Sequence, residues 1–328
     1  MRAGSALSFC MGAALAAVCA LGLATADGGE ARRPYRIGVL NEAWAPNHPT
    51  VEGLKAGLKE LGLEEGRDVT FDIRFTAGNR EILPAKATEL VGQSVDLIFT
   101  SGDAAIQAAY NASEAVPIVF TQVGDALIHR LPQIGHNVKG SITGVSSLNI
   151  KLAPKRLEFL KTLAPALRRV WVVYPAGDAS ALAAVKEAEG AAVRLKLQVV
   201  GRPVFTAEDV ARALNDTGSG DALLAPDNDT LDIPSEILER SLRSRLPAVF
   251  PTSLWVEHGG LVSYGPEYYA QGVQAARLVA KILRGARPQD LPVESADKID
   301  LAVNLKTAAF LGLAVPRKVL LRADRLQR

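Results

Sequence analysis

One pattern recurs along most of this chain: a short apolar run, a polar turn, and then an amphipathic helical segment. The stretch VDLIFTSGDAAIQAA, from Val95 to Ala109, shows it, because strand-forming residues end at Thr100 and an alanine-rich, helix-forming segment follows Gly102. YRIGVL, VTFDIRFT and PIVFT also precede such segments. Strands that alternate with helices form parallel sheets with helices on both faces. The pattern therefore predicts a doubly wound α/β fold.

The pattern starts again after GSITGVSSLN, where RVWVVY, LKLQVV, DALLA and PAVF each precede a helical segment. A chain of 328 residues also exceeds what one hydrophobic core usually serves. We predict two lobes joined by three connections, because the last helix and strand are too small to form a domain of their own. The predicted connections are Val145 to Leu148, Phe250 to Ser253 and Ala296 to Val303. Lobe 1 is then residues 34–145 and 254–295, and lobe 2 is residues 146–253 and 296–328.

The first 26 residues have the layout of a secretory signal peptide. Arg2 precedes an apolar run from Leu7 to Leu23, and the small residues Ala24, Thr25 and Ala26 follow it. A membrane anchor is the alternative, but the run is short for a bilayer span. We predict cleavage near Ala26 and a soluble, exported protein in the periplasm.

The composition excludes several classes of site. Both cysteines, Cys10 and Cys19, lie in the predicted signal peptide, so the mature chain can have neither a disulfide nor a thiolate ligand or nucleophile. The 37 Lys and Arg nearly balance the 35 Asp and Glu without a long basic run, which argues against a nucleic-acid partner. The four histidines, expected in loops or at the surface, lack metal-ligand spacing: His48, His129, His136 and His258. We predict no metal, no cofactor and a monomer.

The sequence also lacks the local motifs of common enzymes. The turn after the first strand, NEAWAPNHP, has no glycine to cradle a dinucleotide, and neither a G-x-S-x-G elbow, a P-loop nor an H-E-x-x-H helix is present. We therefore predict no catalytic residues. In open parallel sheets, small molecules bind where the carboxyl ends of strands meet loops and helix N-termini. Those junctions are rich here in small polar, acidic and aromatic residues, which suits a small polar ligand with some apolar surface.

The predicted ligand-binding residues all lie at these junctions. They are Trp44, Ser101, Gly102, Asp103, Thr121, Asp125, Tyr174, Asp227, Asn228, Thr252, Trp255 and Tyr264. For Asp103 two interpretations remain open: it caps the helix that follows, or it receives an amino or hydroxyl group of the ligand. Trp44 and Trp255 each offer a flat apolar face that suits stacking on the ligand, whereas Trp171, inside RVWVVY, is expected in the core.

Several segments taken together carry a family resemblance. GLEEGRDVTFDIRFTAGN, VPIVFTQVGD, TGVSS, KRLEFLKTLAPALRRVWVVY, APDND, YGPEYYAQGVQAARLVAKILRGARPQDLPVE and DLAVNLKTAAFLGLAVP occur in this order between Tyr35 and about Asp324. In order and spacing they resemble the ABC-transporter substrate-binding proteins of the tryptophan/tyrosine type. The resemblance implies a type 1 periplasmic-binding fold, whose two lobes close on a small molecule and present it to a membrane permease.

The resemblance also shows where the ligand site departs from the family pattern. Members that look like aromatic amino-acid binders have Thr after the glycine of the turn that follows VDLIFT, whereas this chain has Asp103 after Gly102. The turn after PAVF is usually acidic in them, but residues 251–255 contain no carboxylate here. Thr121, Asp125, Asp227 and Asn228 match. The resemblance therefore implies the place of the cleft more firmly than an amino-acid ligand. A ligand-sensing subunit of a signalling system, or a secreted α/β enzyme, is the alternative function.

Overall fold

The structure is a computed structural model that describes residues 33–43, 46–124, 142–227 and 230–328. The predicted signal peptide lies outside the described residues. Helices within the described ranges are all too short or too polar to cross a membrane.

Strands and helices alternate along the chain, as the sequence pattern predicts. In chain order the strands are β1 (Tyr35–Asn41), β2 (Val69–Phe75), β3 (Leu97–Ser101), β4 (Ile118–Val123), β5 (Ile142–Ser146), β6 (Arg169–Pro175), β7 (Gln198–Val204), β8 (Asp221–Leu224), β9 (Ala248–Phe250), β10 (Val262–Pro266), β11 (Glu294–Ser295), β12 (Ile299–Asn304) and β13 (Arg325–Gln327). The helices are α1 (Pro49–Glu60), α2 (Leu83–Gly92), α3 (Asp103–Ala112), α4 (Asn149–Leu163), α5 (Ala179–Leu195), α6 (Ala207–Asn215), α7 (Ile233–Ser244), α8 (Ser253–Glu257), α9 (Tyr268–Leu283), α10 (Leu305–Phe310) and α11 (Arg317–Leu320).

The described strands form two sheets, one in each lobe. The order in lobe 1 is β11-β5-β4-β3-β1-β2, and every pair is parallel. The order in lobe 2 is β13-β12-β10-β9-β8-β6-β7, which is parallel except where β10 pairs with β12. The predicted fold of two doubly wound lobes is confirmed.

Apolar side chains fill both faces of each sheet. In β1, Ile37 and Val39 face the cluster that α1 and α9 cover, whereas Leu40 faces the cluster that α2 and α3 cover. Trp171 is buried in lobe 2, as expected of a core residue, and its indole N–H donates to the Asp221 carboxylate at 3.0 Å. Strands buried on both faces need near-continuous apolar sequence, which explains the runs that the sequence shows.

The chain passes between the lobes three times, but one of the passages differs from the prediction. The first lies between β5 and α4, and the third lies between β11 and β12. The second lies at Glu267, between β10 of the lobe 2 sheet and α9, which packs against lobe 1. The prediction of Phe250 to Ser253 is wrong, because the five-residue α8 joins the parallel neighbours β9 and β10 within one sheet. Residues 254–266 therefore belong with lobe 2.

Glycines bring α9 and α1 into close contact on lobe 1. A Cβ atom on Gly53 would lie 2.0 Å from the Tyr269 carbonyl oxygen, and one on Gly272 would lie 2.0 Å from that of Thr50. Only glycine permits this approach of two helix backbones. The contact holds the start of α9, and with it Tyr268, next to the cleft between the lobes.

Candidate functional site

The carboxyl ends of both sheets face a shared cavity of about 520 Å³, part of it open to solvent. From lobe 1 and the first connection it is lined by Glu42, Arg80, Ser101, Gly102, Asp103, Gln122, Gly124 and Ser147. From lobe 2 it is lined by Asn149, Asp178, Ser180, Ala181 and Asp227.

The junction after β3 forms the lobe 1 side of this cavity. Ser101 ends the strand and is buried, and Gly102 has a φ of 94°, which favours glycine. A Cβ atom at position 102 would also lie 3.0 Å from Oε1 of Glu42. Gly102 is the N-cap of α3 and no side chain caps that helix, so Asp103 is not the N-cap but an acidic residue of the first turn.

The Asp103 carboxylate links the two lobes instead. Its Oδ1 accepts a hydrogen bond from the backbone N–H of Gly124 at 3.0 Å, within lobe 1. Its Oδ2 accepts one from the Ser180 hydroxyl at 2.7 Å, at the start of α5 in lobe 2. Hydrogen bonds to an ionised carboxylate are among the stronger ones in proteins. Asp103 therefore holds the lobes together across the cavity.

Burial changes the acidity of this carboxyl group. The surroundings of both lobes desolvate it and raise the pKa of Asp103 to about 7, although part of the side chain still faces the cavity. Repulsion from the Asp178 and Asp227 carboxylates acts in the same direction, whereas the hydrogen bonds from Gly124 and Ser180 oppose it. Asp103 therefore changes charge near neutral pH.

The contact between the lobes at this point requires a glycine. A Cβ atom on Gly124 would lie 2.4 Å from Oγ and 2.7 Å from Cβ of Ser180, closer than real Cβ contacts. Gly124 does not have a left-handed φ, so its lack of a side chain serves the close approach and not the backbone conformation.

An ion pair lies at the edge of the cavity in lobe 1. Nε of Arg80 donates to Oε2 of Glu42 at 2.6 Å, and the Glu42 side chain is largely buried whereas that of Arg80 is half-buried. Glu42 follows β1 directly, and the backbone carbonyl of Glu42 accepts the Gly78 N–H at 2.9 Å. The pair places one carboxylate and one guanidinium beside Ser101 and Gly102 without adding net charge.

Asp227 lies across the cavity in lobe 2, after β8. The hydroxyl of Tyr268, on α9 of lobe 1, donates to Oδ1 of Asp227 at 3.4 Å, which is a second contact between the lobes. Burial raises the pKa of Asp227, whereas attraction to Arg156 and hydrogen bonds from Tyr268 and Ser147 lower it. Asp178 adds a third acidic side chain on this side, where it caps α5 by accepting from Ala181 N–H at 2.9 Å.

One of the four histidines lies close to this group. His48 is a loop residue, as expected, and it caps α1 through Nδ1. It is half-buried, and its ring centroid lies 5.4 Å from that of Tyr268. Desolvation lowers the pKa of His48 to about 4, so the ring is neutral at pH 7. Within the described ranges, no group of three or more His, Cys, Asp or Glu side chains is arranged to hold a metal ion.

Four of the predicted ligand-binding residues line the cavity: Ser101, Gly102, Asp103 and Asp227. Three others, Trp44, Asp125 and Asn228, lie outside the described residues. That the lining residues bind a ligand stays a prediction. The remaining five, Thr121, Tyr174, Thr252, Trp255 and Tyr264, do not line this cavity.

Strand geometry explains the position of Thr121. Its side chain is fully buried within β4, where the hydroxyl donates to the Thr100 carbonyl at 3.4 Å. The next residue, Gln122, lines the cavity in its place, because a register shift between Phe120 and Val123 and a φ of 57° turn its side chain. Gln122 donates through Nε2 to the Thr50 hydroxyl at 2.7 Å.

The other four residues pack within lobe 2. Tyr174 and Tyr264 contact the apolar cluster beneath α4, and the Tyr264 ring lies 5.0 Å from that of Phe159. Trp255 belongs to α8 and not to an open turn, and it stacks on Phe250 at 5.8 Å. Thr252, which precedes α8, is buried. Each aromatic ring is used for packing against its own lobe.

The sequence prediction missed nine lining residues: Glu42, Arg80, Gln122, Gly124, Ser147, Asn149, Asp178, Ser180 and Ala181. Glu42, Asp178 and Ser180 each follow the end of a strand closely, so the rule that selected Asp103 applies to them as well. Nothing local in the sequence indicates Arg80, which comes from the loop after β2.

The sequence is similar to those of substrate-binding proteins of ABC transporters. A family model described as ABC transporter substrate binding protein matches residues 46–327. The chain is 25% identical over 276 residues to a tyrosine-binding protein of Clostridioides difficile (strain R20291), covering 81% of this chain and 78% of that protein. These matches are to substrate-binding proteins and not to enzymes, which agrees with the prediction of no catalytic residues.

Two solved structures are similar over nearly their whole length. A conserved domain protein of Vibrio cholerae has a TM-score of 0.81 and 29% identity, covering 90% of this chain and 100% of the other. The ABC domain of Streptococcus pneumoniae in complex with L-Trp has a TM-score of 0.80 and 24% identity, covering 89% and 99%. The similarity to the Streptococcus pneumoniae structure supports the two-lobed α/β fold.

Proposed function

Because this chain belongs to the ABC transporter substrate-binding protein family, we propose that it binds an amino acid or a related amine between its lobes. In this proposal it is an exported, monomeric receptor of the periplasm, which presents the ligand to the permease of an ABC importer. The signal-peptide layout of residues 1–26 supports export.

The observation that carries the proposal is the convergence of acidic side chains from both lobes. Arg80 neutralises Glu42, but Asp103 and Asp227 add carboxylates whose mutual repulsion contributes to the raised pKa of Asp103. A ligand ammonium group would relieve this repulsion and replace the water that the carboxylates lose on closure. A neutral sugar would leave the excess of negative charge in place. The site therefore favours a cationic head group.

The groove next to the cavity indicates where an apolar part of the ligand would lie. A wider groove of about 1,030 Å³, largely open, shares Arg80, Asp103 and Ser180 with it. Its lobe 2 wall contains Val204 and Phe205, and the Phe205 side chain is 77% exposed. Together with the tyrosine-binding relative, this supports an aromatic amino acid whose ring lies towards the groove.

A set of matched ligands tests the proposal by titration calorimetry on protein stripped of bound ligand by unfolding and refolding. L-tyrosine is compared with tyramine, which lacks the carboxylate, with 3-(4-hydroxyphenyl)propionate, which lacks the amine, and with ribose. Loss of the amine should cost roughly 1.5 to 3 kcal/mol, the contribution of a charged hydrogen bond, or on the order of 10- to 100-fold in affinity. Equal affinity for the compound without the amine, or tighter binding of ribose, would refute the proposal.

A further inference from the structure

Glu267 lies at the second connection between the lobes, and its carboxylate is held by lobe 1. Oε1 accepts a hydrogen bond from the backbone N–H of Tyr269 at 3.1 Å, and Oε2 accepts one from that of Ala270 at 2.9 Å. Glu267 is thus the N-cap of α9, which the glycine contact fixes to α1. Its side chain is only 12% exposed, so salt screens its charge less than that of a surface residue. The carboxylate therefore moves with lobe 1.

Two cations of lobe 2 approach the same carboxylate. Nη2 of Arg325, the first residue of β13, lies 3.8 Å from Oε1, and Nζ of Lys298, which directly precedes β12, lies 4.0 Å from Oε2. These distances are too long for hydrogen bonds and are those of loose ion pairs. A main-chain contact keeps the groups together, because the Glu267 N–H donates to the Lys298 carbonyl at 3.2 Å. Opposite charges thus attract each other across the second connection.

Arg325 is anchored within lobe 2 by two other carboxylates. Its Nε donates to Oδ2 of Asp300 in β12 at 3.2 Å, and its Nη1 donates to Oε1 of Glu257 in α8 at 3.3 Å. The Asp300 side chain is 4% exposed. The main chain of Arg325 pairs with Ala302, because β13 is the parallel neighbour of β12. The guanidinium is therefore fixed to lobe 2 and does not follow the Glu267 carboxylate when the lobes rotate.

The third connection passes from one lobe to the other beside Glu267. Oε1 of Gln274, on α9, accepts the Asp297 N–H at 3.2 Å, so Asp297 is held by lobe 1. Ile299, two residues later, pairs with Pro266 in the lobe 2 sheet. The boundary between the lobes thus falls at Lys298, whose carbonyl is already held by the main chain next to Pro266. The ammonium group of Lys298 therefore stays with lobe 2.

We propose that Glu267 is an electrostatic tether at the hinge: its carboxylate, carried by lobe 1, is attracted by Arg325 and Lys298 of lobe 2, and this attraction favours the closed cleft. Closed here means the arrangement in which Asp103 contacts Ser180 between the lobes. Rotation that separates this contact would move the tethered carboxylate, together with α9, relative to both cations. None of the three tether residues is among those that line the cavity, so the inference does not depend on which ligand binds there.

Distances between spin labels on the two lobes measure the balance between open and closed protein without a ligand. Cys10 and Cys19 both lie in the predicted signal peptide, so the mature chain can carry one added cysteine on each lobe. Ala85→Cys on α2 and Ala211→Cys on α6 are suitable, because both positions are exposed. Electron–electron double resonance on ligand-stripped protein then gives the ratio of short to long separations, which is the ratio of closed to open protein.

Glu267→Gln keeps an oxygen that can cap α9 and removes the charge. The ratio of closed to open protein should fall roughly two- to fivefold at low salt, the effect expected of loose, partly exposed ion pairs. Added salt should lower the ratio in the parent but have little effect in Glu267→Gln, because raising the salt from about 0.1 to about 1 M shortens the Debye length from about 10 to about 3 Å. An unchanged ratio in Glu267→Gln, or a ratio in the parent that does not respond to salt, would overturn the inference.

A double-mutant cycle separates the tether from a structural role of the helix cap. Lys298→Gln alone should also lower the ratio, but it should add little in the Glu267→Gln background, because the partner charge is already absent. Two effects that simply add would indicate that Glu267 acts only as the cap of α9, and would contradict the inference. If Glu267→Gln does not fold, as judged by thermal unfolding, Lys298→Gln at low and high salt decides the question.

Glu257→Gln is the matched control, because Glu257 contacts Arg325 within lobe 2 and does not cross the hinge. This variant also removes one negative charge, but it should not lower the ratio of closed to open protein. A fall as large as that in Glu267→Gln would indicate a general effect of net charge and would refute the tether. Since the labels report the lobes without a ligand, the outcome stands even if the parent fails to bind L-tyrosine and the proposed function is wrong.

Discussion

Asparagine in place of Asp103 tests whether the carboxyl group in the cleft makes the contact between the lobes sensitive to pH. Asp103 accepts hydrogen bonds from Gly124 N–H and the Ser180 hydroxyl. Asparagine can keep both, since Oδ1 accepts from the backbone and Nδ2 donates to the hydroxyl oxygen. The variant therefore imitates the protonated acid and removes only the charge.

The raised pKa of Asp103 determines the size and the sign of its effect on the free energy of unfolding. Because burial raises the pKa of Asp103 from 3.8 to about 7, the native protein binds more protons than the unfolded chain across that window. The free energy of unfolding therefore falls as the pH rises from 3.8 to 7, and it stays lower above 7. At about 1.4 kcal/mol per pH unit, the decrease in the free energy of unfolding between pH 5 and 7 amounts to at most about 3 kcal/mol. Water that reaches the cavity reduces this figure.

Calorimetric unfolding of ligand-stripped protein at pH 5, 6, 7 and 8 measures the effect. The Tm of Asp103→Asn relative to the parent should rise by several degrees across this range, at roughly 2 to 4 °C per kcal/mol. Ser180→Ala removes the hydrogen bond between the lobes but keeps the carboxylate, so its free energy of unfolding should still fall as the pH rises, with the fall extending to higher pH because that hydrogen bond lowers the pKa of Asp103. A difference between Asp103→Asn and the parent that stays constant within about 1 °C would refute the reasoning.

Three further predictions concern closure and export. Adding L-tyrosine should reduce the radius of gyration measured by X-ray scattering, and an unchanged curve at saturation would rule out closure. Gly124→Ala should prevent this compaction, because the methyl group would lie 2.7 Å from Cβ of Ser180, and a second change, Ser180→Gly, should restore it. N-terminal sequencing of exported protein should begin near Asp27, whereas a start at Met1 would contradict the predicted cleavage.

The fold could be predicted because the apolar runs repeat locally. Strands buried on both faces need continuous apolar sequence, and RVWVVY or VDLIFT shows this without any knowledge of neighbours. The second connection could not be placed, because PAVF and LVSYGP look alike as strands and the sequence does not say which sheet each joins. That choice depends on β10 pairing between β9 and β12, which joins distant parts of the chain.

The candidate site could be predicted only where it follows strand ends directly. Ser101, Gly102 and Asp227 are reached by that rule. Gln122 is not, because the direction of its side chain depends on a register shift and a left-handed φ. Trp255 was chosen for its chemistry, but its ring is used to cover Phe250. Residue type indicates what a side chain can bind, whereas packing decides whether it reaches the ligand.

The glycine contact between α9 and α1 fixes α9 on lobe 1, so α9 and lobe 1 form one rigid unit. Tyr268 is its first residue and follows the second connection, at Glu267, directly, while its hydroxyl reaches Asp227 on the opposite lobe. A rotation of the lobes apart about Glu267 would carry Tyr268 away with α9 and would break the hydrogen bond that its hydroxyl donates to Asp227. The hydrogen bonding of Asp227 on lobe 2 would therefore depend on the angle between the lobes.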